Sequence, residues 1–196
     1  MKFHSIAACL GIVAACALPL AHAAPLAGTQ TSHLRATSAE AGGSASTPQG
    51  DYSFTAKSYT DFDGSRAGSV FVDSFAFPGG FTFISCTGPE FANAVTMNQS
   101  TGAVSVNAPI DPSNPNCFAF NYTGSPLTLR FAGLPDGSER VSENGNGTQQ
   151  LFSETFKFNF QSDSFSETFS GSTGLYTGVF TGRATFGRST NRTKVK

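Results

Sequence analysis

From Asp51 to Arg188 the apolar residues fall in short runs at alternate positions, and this period of two limits the fold more than any other feature. Successive side chains of a strand point to opposite faces, so such alternation gives one dry face and one wet one. A helix needs an apolar stripe at a period near 3.6 residues, and no window sustains one. The runs 52–60, 67–77, 81–87, 93–98, 103–108, 117–123, 127–133, 150–160, 165–170 and 175–187 are rich in aromatic and β-branched residues and predict strands. Turn chemistry separates them: Asp63-Gly64, Pro78-Gly79-Gly80, Thr101-Gly102, Pro112-Ser113-Asn114-Pro115, Pro135-Asp136-Gly137 and Asn144-Gly145-Asn146-Gly147. The expected fold class is all-β, a single antiparallel β-sandwich or closed β-barrel over residues 51–188. The chain contains 20 Phe and no Trp, and these phenylalanines are expected to turn inward and fill the core.

The string Phe152 to Phe160, followed by Gln161-Ser162-Asp163-Ser164 and then Phe165 to Phe169, predicts a hairpin. With the middle four residues as its loop, Phe160 faces Phe165 and Phe156 faces Phe169. Lys157 then lies on the opposite, polar side.

Ahead of this domain the sequence changes character. Residues 1–23 have the organisation of a signal peptide: Lys2, an apolar stretch from Ile6 to Leu20, and the small-x-small motif Ala21-His22-Ala23. A second reading takes Val13-Ala14-Ala15-Cys16 as a lipobox, with a lipid anchor at Cys16. Residues 24–50 contain no aromatic residue and only two large aliphatic ones, Leu26 and Leu34, which predicts a flexible low-complexity tether. Residues 189–196 read as a basic C-terminal tail. Cleavage after Ala23 would leave Cys86 and Cys117 as the remaining cysteines. In the oxidising compartment such a leader implies, they are expected to pair, closing a loop that stabilises by roughly 3 kcal/mol. The expected location is secreted, periplasmic or cell-surface, with no transmembrane helix in the mature chain.

The chemistry of the domain is narrow. The three histidines are His4, His22 and His33. None lies in 51–188, which leaves a serine or cysteine nucleophile without its usual base and zinc without its usual ligands. No cofactor is expected, and no glycine-rich loop leads into a helix to hold phosphate. Glu154 and Glu167 fall on the aromatic side of the predicted hairpin. Their backbones are expected about 13 Å apart, too far for a glycosidase pair, as rim residues reaching solvent or partners of Arg130 or Arg183. Asp61-Phe62-Asp63-Gly64 opens like a calcium loop but lacks its later ligands, so an Asp-Gly turn explains it better. Four Asn-x-Ser/Thr triplets, at Asn98, Asn121, Asn146 and Asn191, are no more than a chain so rich in Ser and Thr supplies. A net charge of −1 gives no overall case for nucleic acid as a partner. Charge is uneven, however: Arg183, Arg188, Arg192, Lys194 and Lys196 follow Glu167 with no acidic residue among them. Such a run can hold an acidic polymer or surface, and its simpler role is solubility.

These features point to a secreted or surface-exposed non-enzymatic β-domain. It is expected to serve as an adhesion, matrix or ligand-binding module for cell-envelope or extracellular glycan or protein. Tyr52, Tyr59, Tyr122 and Tyr176 are the candidate binding aromatics. Two other readings are a small outer-membrane β-barrel, suggested by the alternation from Leu175 to Phe186, and a secreted hydrolase working with carboxylates alone.

Overall fold

The computed structural model describes residues 30–76, 79–151 and 154–195, so the leader read over 1–23 lies outside the described residues. Its strands are β1 (Gln30–Thr47), β2 (Gly50–Thr60), β3 (Arg66–Ala76), β4 (Gly80–Gly88), β5 (Val95–Met97), β6 (Val104–Ile110), β7 (Cys117–Phe120), β8 (Leu127–Leu151), β9 (Glu154–Ser172) and β10 (Thr177–Val195). They form one antiparallel sheet in the order β5-β6-β8-β9-β10-β1-β2-β3-β4-β7. The order does not return on itself, so the sheet is open. It doubles over to pack one half on the other, which makes the domain sandwich-like instead of a closed barrel.

Alternation drives this packing. In β6 Val104, Val106, Ala108 and Ile110 are buried while Ser105, Asn107 and Pro109 are exposed. Across the fold, Phe54 of β2 stacks on Phe131 of β8 with ring centroids 4.1 Å apart. Phe169 and Phe180 meet Phe54 edge-on at 5.2 and 5.7 Å. Val70, Val72, Ile84 and Leu129 complete this interior. A short helical turn, Pro89–Phe91, joins β4 to β5, and β5 occupies only Val95–Met97 of the run 93–98. The buried Ser58 hydroxyl ties this segment to β2 by donating to the Phe91 carbonyl and accepting from the Val95 amide.

The structure corrects several sequence expectations about the strands. The segment read as a tether is, from Gln30 to Thr47, the strand β1, paired with β10 on one side and β2 on the other. Its small residues bury little of their own surface, but they let larger neighbours close over them: a Cβ on Gly43 would come within 3.2 Å of the Phe54 and Phe169 rings. The basic tail is likewise part of β10 as far as Val195. Asn144-Gly145-Asn146-Gly147 lies inside β8. There Gly145 and Gly147 sit directly opposite Phe160 and Phe158, and a Cβ on either would strike those rings at 2.2 or 2.1 Å. The glycines therefore make room for cross-strand aromatics and do not turn the chain. Finally, Gln161 to Ser164 form no loop, because β9 runs straight through them from Glu154 to Ser172.

A continuous β9 changes the parity of its phenylalanines. Phe165 and Phe169 point inward with Asp163 and Glu167, whereas Phe158 and Phe160 fall on the other face and are exposed. Beyond the core, the far ends of β8, β9, β10 and β1 pair only with one another and form a four-stranded blade. Pro135-Asp136-Gly137, read as a turn, marks where β8 leaves the core for this blade. The register with β9 shifts between Pro135 and Arg140, and Gly137 adopts φ 77°. Proline supplies no ladder N–H and glycine accepts the left-handed backbone, so the strand bulges instead of ending.

Candidate functional site

The core-facing residues of β3 and β4 are Val70, Val72, Ile84 and Cys86. The intervening positions face outward, and on β3, β4 and β7 six of them are phenylalanine: Phe71, Phe75, Phe81, Phe83, Phe118 and Phe120. Register brings them together. Phe75 lies opposite Phe81, and Phe83 opposite Phe120. The Phe83 ring is stacked on Phe120 at 5.7 Å and tilted against Phe118 at 5.5 Å, Phe81 at 5.6 Å and Phe71 at 5.8 Å. Phe75, Phe81, Phe118 and Phe120 remain 45%, 40%, 60% and 44% exposed. With about 200 Å² per ring these fractions amount to about 400 Å² of apolar surface, the size that marks contact sites on monomeric proteins. The inward expectation holds for Phe54, Phe91, Phe131, Phe165, Phe169 and Phe180 and fails for this ridge.

The ridge ends on β7, a four-residue strand at the edge of the sheet. So short a strand has little pairing of its own. Cys117 lies directly opposite Cys86 of β4, with Cα atoms 4.1 Å apart and the sulfurs at disulfide-bonding distance. The cross-link pins β7, and with it Phe118 and Phe120, to the body of the sheet.

The four tyrosines do not converge. Tyr52 and Tyr176 stack on each other at 4.5 Å, partly buried against the core. The Tyr122 hydroxyl donates to the Ser125 carbonyl at 2.6 Å. Tyr59 lines an open groove of about 550 Å³ shared with Ser38, Lys57, Asp61, Thr87 and Ser189, and Tyr52 lines a smaller one of about 170 Å³ beside Phe75 and Phe81. One signal would have revealed the ridge. If Cys86 and Cys117 pair across the core, Ile84 and Ala119 share their face, and Phe81, Phe83, Phe118 and Phe120 must point the other way.

The acidic pair is dispersed. Glu154 and Glu167 lie 13 positions apart on one unbroken strand, about 40 Å at strand rise, and their odd spacing sends them to opposite faces. Glu167 does not reach solvent: it is 1% exposed, and neither carboxylate oxygen has a hydrogen-bond partner. It sits between Phe165 and Phe169 on β9, opposite Pro135 and Gly182. Burial, with the negative charge of Asp136 adding to it, pushes its pKa up to about 7. Asp61 to Gly64 form the β2–β3 turn. The Gly64 amide donates to the Asp61 carbonyl at 3.0 Å, and the Asp63 carboxylate accepts the Ser65 amide at 2.8 Å. Among the described residues no group of three or more His, Cys, Asp or Glu is placed to hold a metal ion, and no helix is long and apolar enough to cross a membrane. Comparison with protein families, characterised proteins and solved structures finds no match for this chain.

Proposed function

We propose that this chain is an exported, non-enzymatic adhesion or matrix domain that docks a partner protein of the cell envelope through its phenylalanine ridge. The observation that carries the reading is the exposed cluster of Phe75, Phe81, Phe118 and Phe120, fastened at the sheet edge by Cys86–Cys117. A standard interface takes about 800 Å² from each partner, and the ridge offers about half of that. The open side of β7 supplies the remainder: an extended apolar segment can add to this edge through main-chain hydrogen bonds and lay alternate side chains on Phe118 and Phe120. Phenylalanine lacks the polar handle of Tyr or Trp, which suits an apolar protein strand better than a sugar ring. Export is supported by the leader pattern of residues 1–23. An open sheet and two carboxylates about 40 Å apart lend little support to the outer-membrane barrel and hydrolase readings.

The test expresses the full chain and a Phe118→Ser, Phe120→Ser variant in a bacterium. Both products are expected outside the cytoplasm, beginning at Ala24, and only the unsubstituted protein should sediment with purified envelope material. Cytoplasmic, uncleaved protein, or equal sedimentation of the variant, would overturn the reading.

A further inference from the structure

The blade carries a second surface, on the face opposite the one that holds Phe158 and Phe160. Register places Lys157 of β9 directly opposite Arg192 of β10, Arg188 opposite Gln161, and Arg35 of β1 opposite Thr190. All four cations are exposed and share one face, which also carries Arg140 at its inner end. Arg140 pairs with Asp163 at 3.4 Å. Among the described residues no carboxylate pairs with Arg35, Lys157, Arg188 or Arg192. Glu143 and Glu154 belong by alternation to the other face.

Like charges directly opposite one another on neighbouring strands destabilise a sheet, and Lys157 against Arg192 is such a pair. A position that breaks a local rule without internal compensation suggests function. The cations also border a depression of about 400 Å³ lined by the polar side chains of Asn144, Asn146, Asn159, Gln161, Arg188 and Thr190, with Gly145 and Phe160 between them. Carboxamides and a hydroxyl there can exchange hydrogen bonds with a ligand rich in hydroxyls, while the guanidinium groups take its anions.

We infer that this face of the blade binds an anionic polysaccharide, with Arg35, Lys157, Arg188 and Arg192 holding its acidic groups and the carboxamide-lined depression holding its hydroxyls. Other anions fit less well. A membrane surface calls for cations and exposed apolar groups on the same side, and here the exposed Phe158 and Phe160 lie on the reverse face, while Phe165 and Phe186 on the cation face are buried or half-buried. Single-stranded nucleic acid calls for aromatic platforms between the cations; on this face Asn, Gln and Thr alternate with them, and Phe160, which also borders the depression, belongs by alternation to the reverse face. The inference does not depend on the phenylalanine ridge, which is on another part of the sheet and is tested by other variants.

The experiment measures binding of the full chain to alginate (carboxylated), dextran sulfate (sulfated) and neutral dextran at low salt. Parallel arms use anionic phosphatidylglycerol vesicles and single-stranded DNA. Binding to at least one charged polysaccharide and none to neutral dextran is expected, lost near 1 M salt where the Debye length falls to about 3 Å. Arg188→Ser with Arg192→Ser should weaken it by about tenfold or more. Arg130→Ser, an exposed cation away from the blade, should leave it within about twofold, and unchanged melting of both variants will show that they fold. Failure to bind either charged polysaccharide, equal binding by the blade variant, or preference for vesicles or DNA would overturn the inference.

Discussion

Glu167 makes the stability of this domain fall as pH rises through the mildly acidic range. In the unfolded chain its carboxyl ionises near the ordinary 4.5, and in the folded protein near 7. Below the lower value both states are protonated and the group has no effect. Between the two values the folded state holds a proton that the unfolded state has lost, so stability declines with pH; above 7 the loss is complete and constant. A difference of this size corresponds to at most about 3 kcal/mol. Asp136 at the β8 bulge is exposed and brings solvent close, and its screening leaves a net effect of about 1–2 kcal/mol. The carboxylates whose pKa values are lowered, Asp63, Glu90, Asp111 and Asp163, act in the opposite sense and below this window. The assay is urea denaturation at pH 5, 6, 7 and 8 for the native sequence and for Glu167→Gln. The glutamine keeps the volume and cannot ionise, so its curve should be flatter and it should be the more stable protein at pH 8. Parallel pH profiles for the two proteins would refute the reasoning.

Three further outcomes are expected. Reducing Cys86–Cys117, or replacing both residues by serine, should cost about 3 kcal/mol in chemical denaturation, because 31 positions separate them. Phe54→Ala removes the ring on which Phe131, Phe169 and Phe180 converge and should destabilise by about 3–5 kcal/mol in the same measurement. Amide hydrogen exchange should show Thr37 to Ser44 strongly protected, since both edges of β1 are paired there; exchange at unfolded-chain rates would contradict its central place.

What the sequence disclosed depended on whether a residue's role was local. β2, β3 and β6 announce themselves by alternation, and their bounds agree with the runs to within a residue or two. The Cys86–Cys117 juxtaposition followed from parity and compartment. The departures at the expected tether and at the expected loop within β9 share one cause: small or polar residues are weighed by their own surface and not by what covers them. Gly43 is held by rings from β2 and β9. Asp163 resembled a loop residue, yet it accepts hydrogen bonds from Ser142, Arg140 and Gln161 on the inner face of the blade. The ridge was missed for the converse reason. A strand with Phe at alternate positions looks the same whether those rings face the core or water, and partner strands distant in sequence decide which. The blade cations stand in separate parts of the sequence, Arg35 in the expected tether, Lys157 in an expected strand, and Arg188 and Arg192 in the C-terminal basic run, and their alignment across β1, β9 and β10 exists only in register.

The location of β1 dictates the order of assembly. It is the earliest described segment to leave the ribosome, and it is wedged between β2, available at once, and β10, made after every other described strand. Until β10 arrives, one flank of β1 lacks its mate and the doubled sheet cannot zip shut. Closure of the sheet thus waits for β10 and is governed by a contact between the first and last described strands. For the export proposed above, in which the chain would cross a narrow translocation channel as a thread, this arrangement supplies a built-in delay.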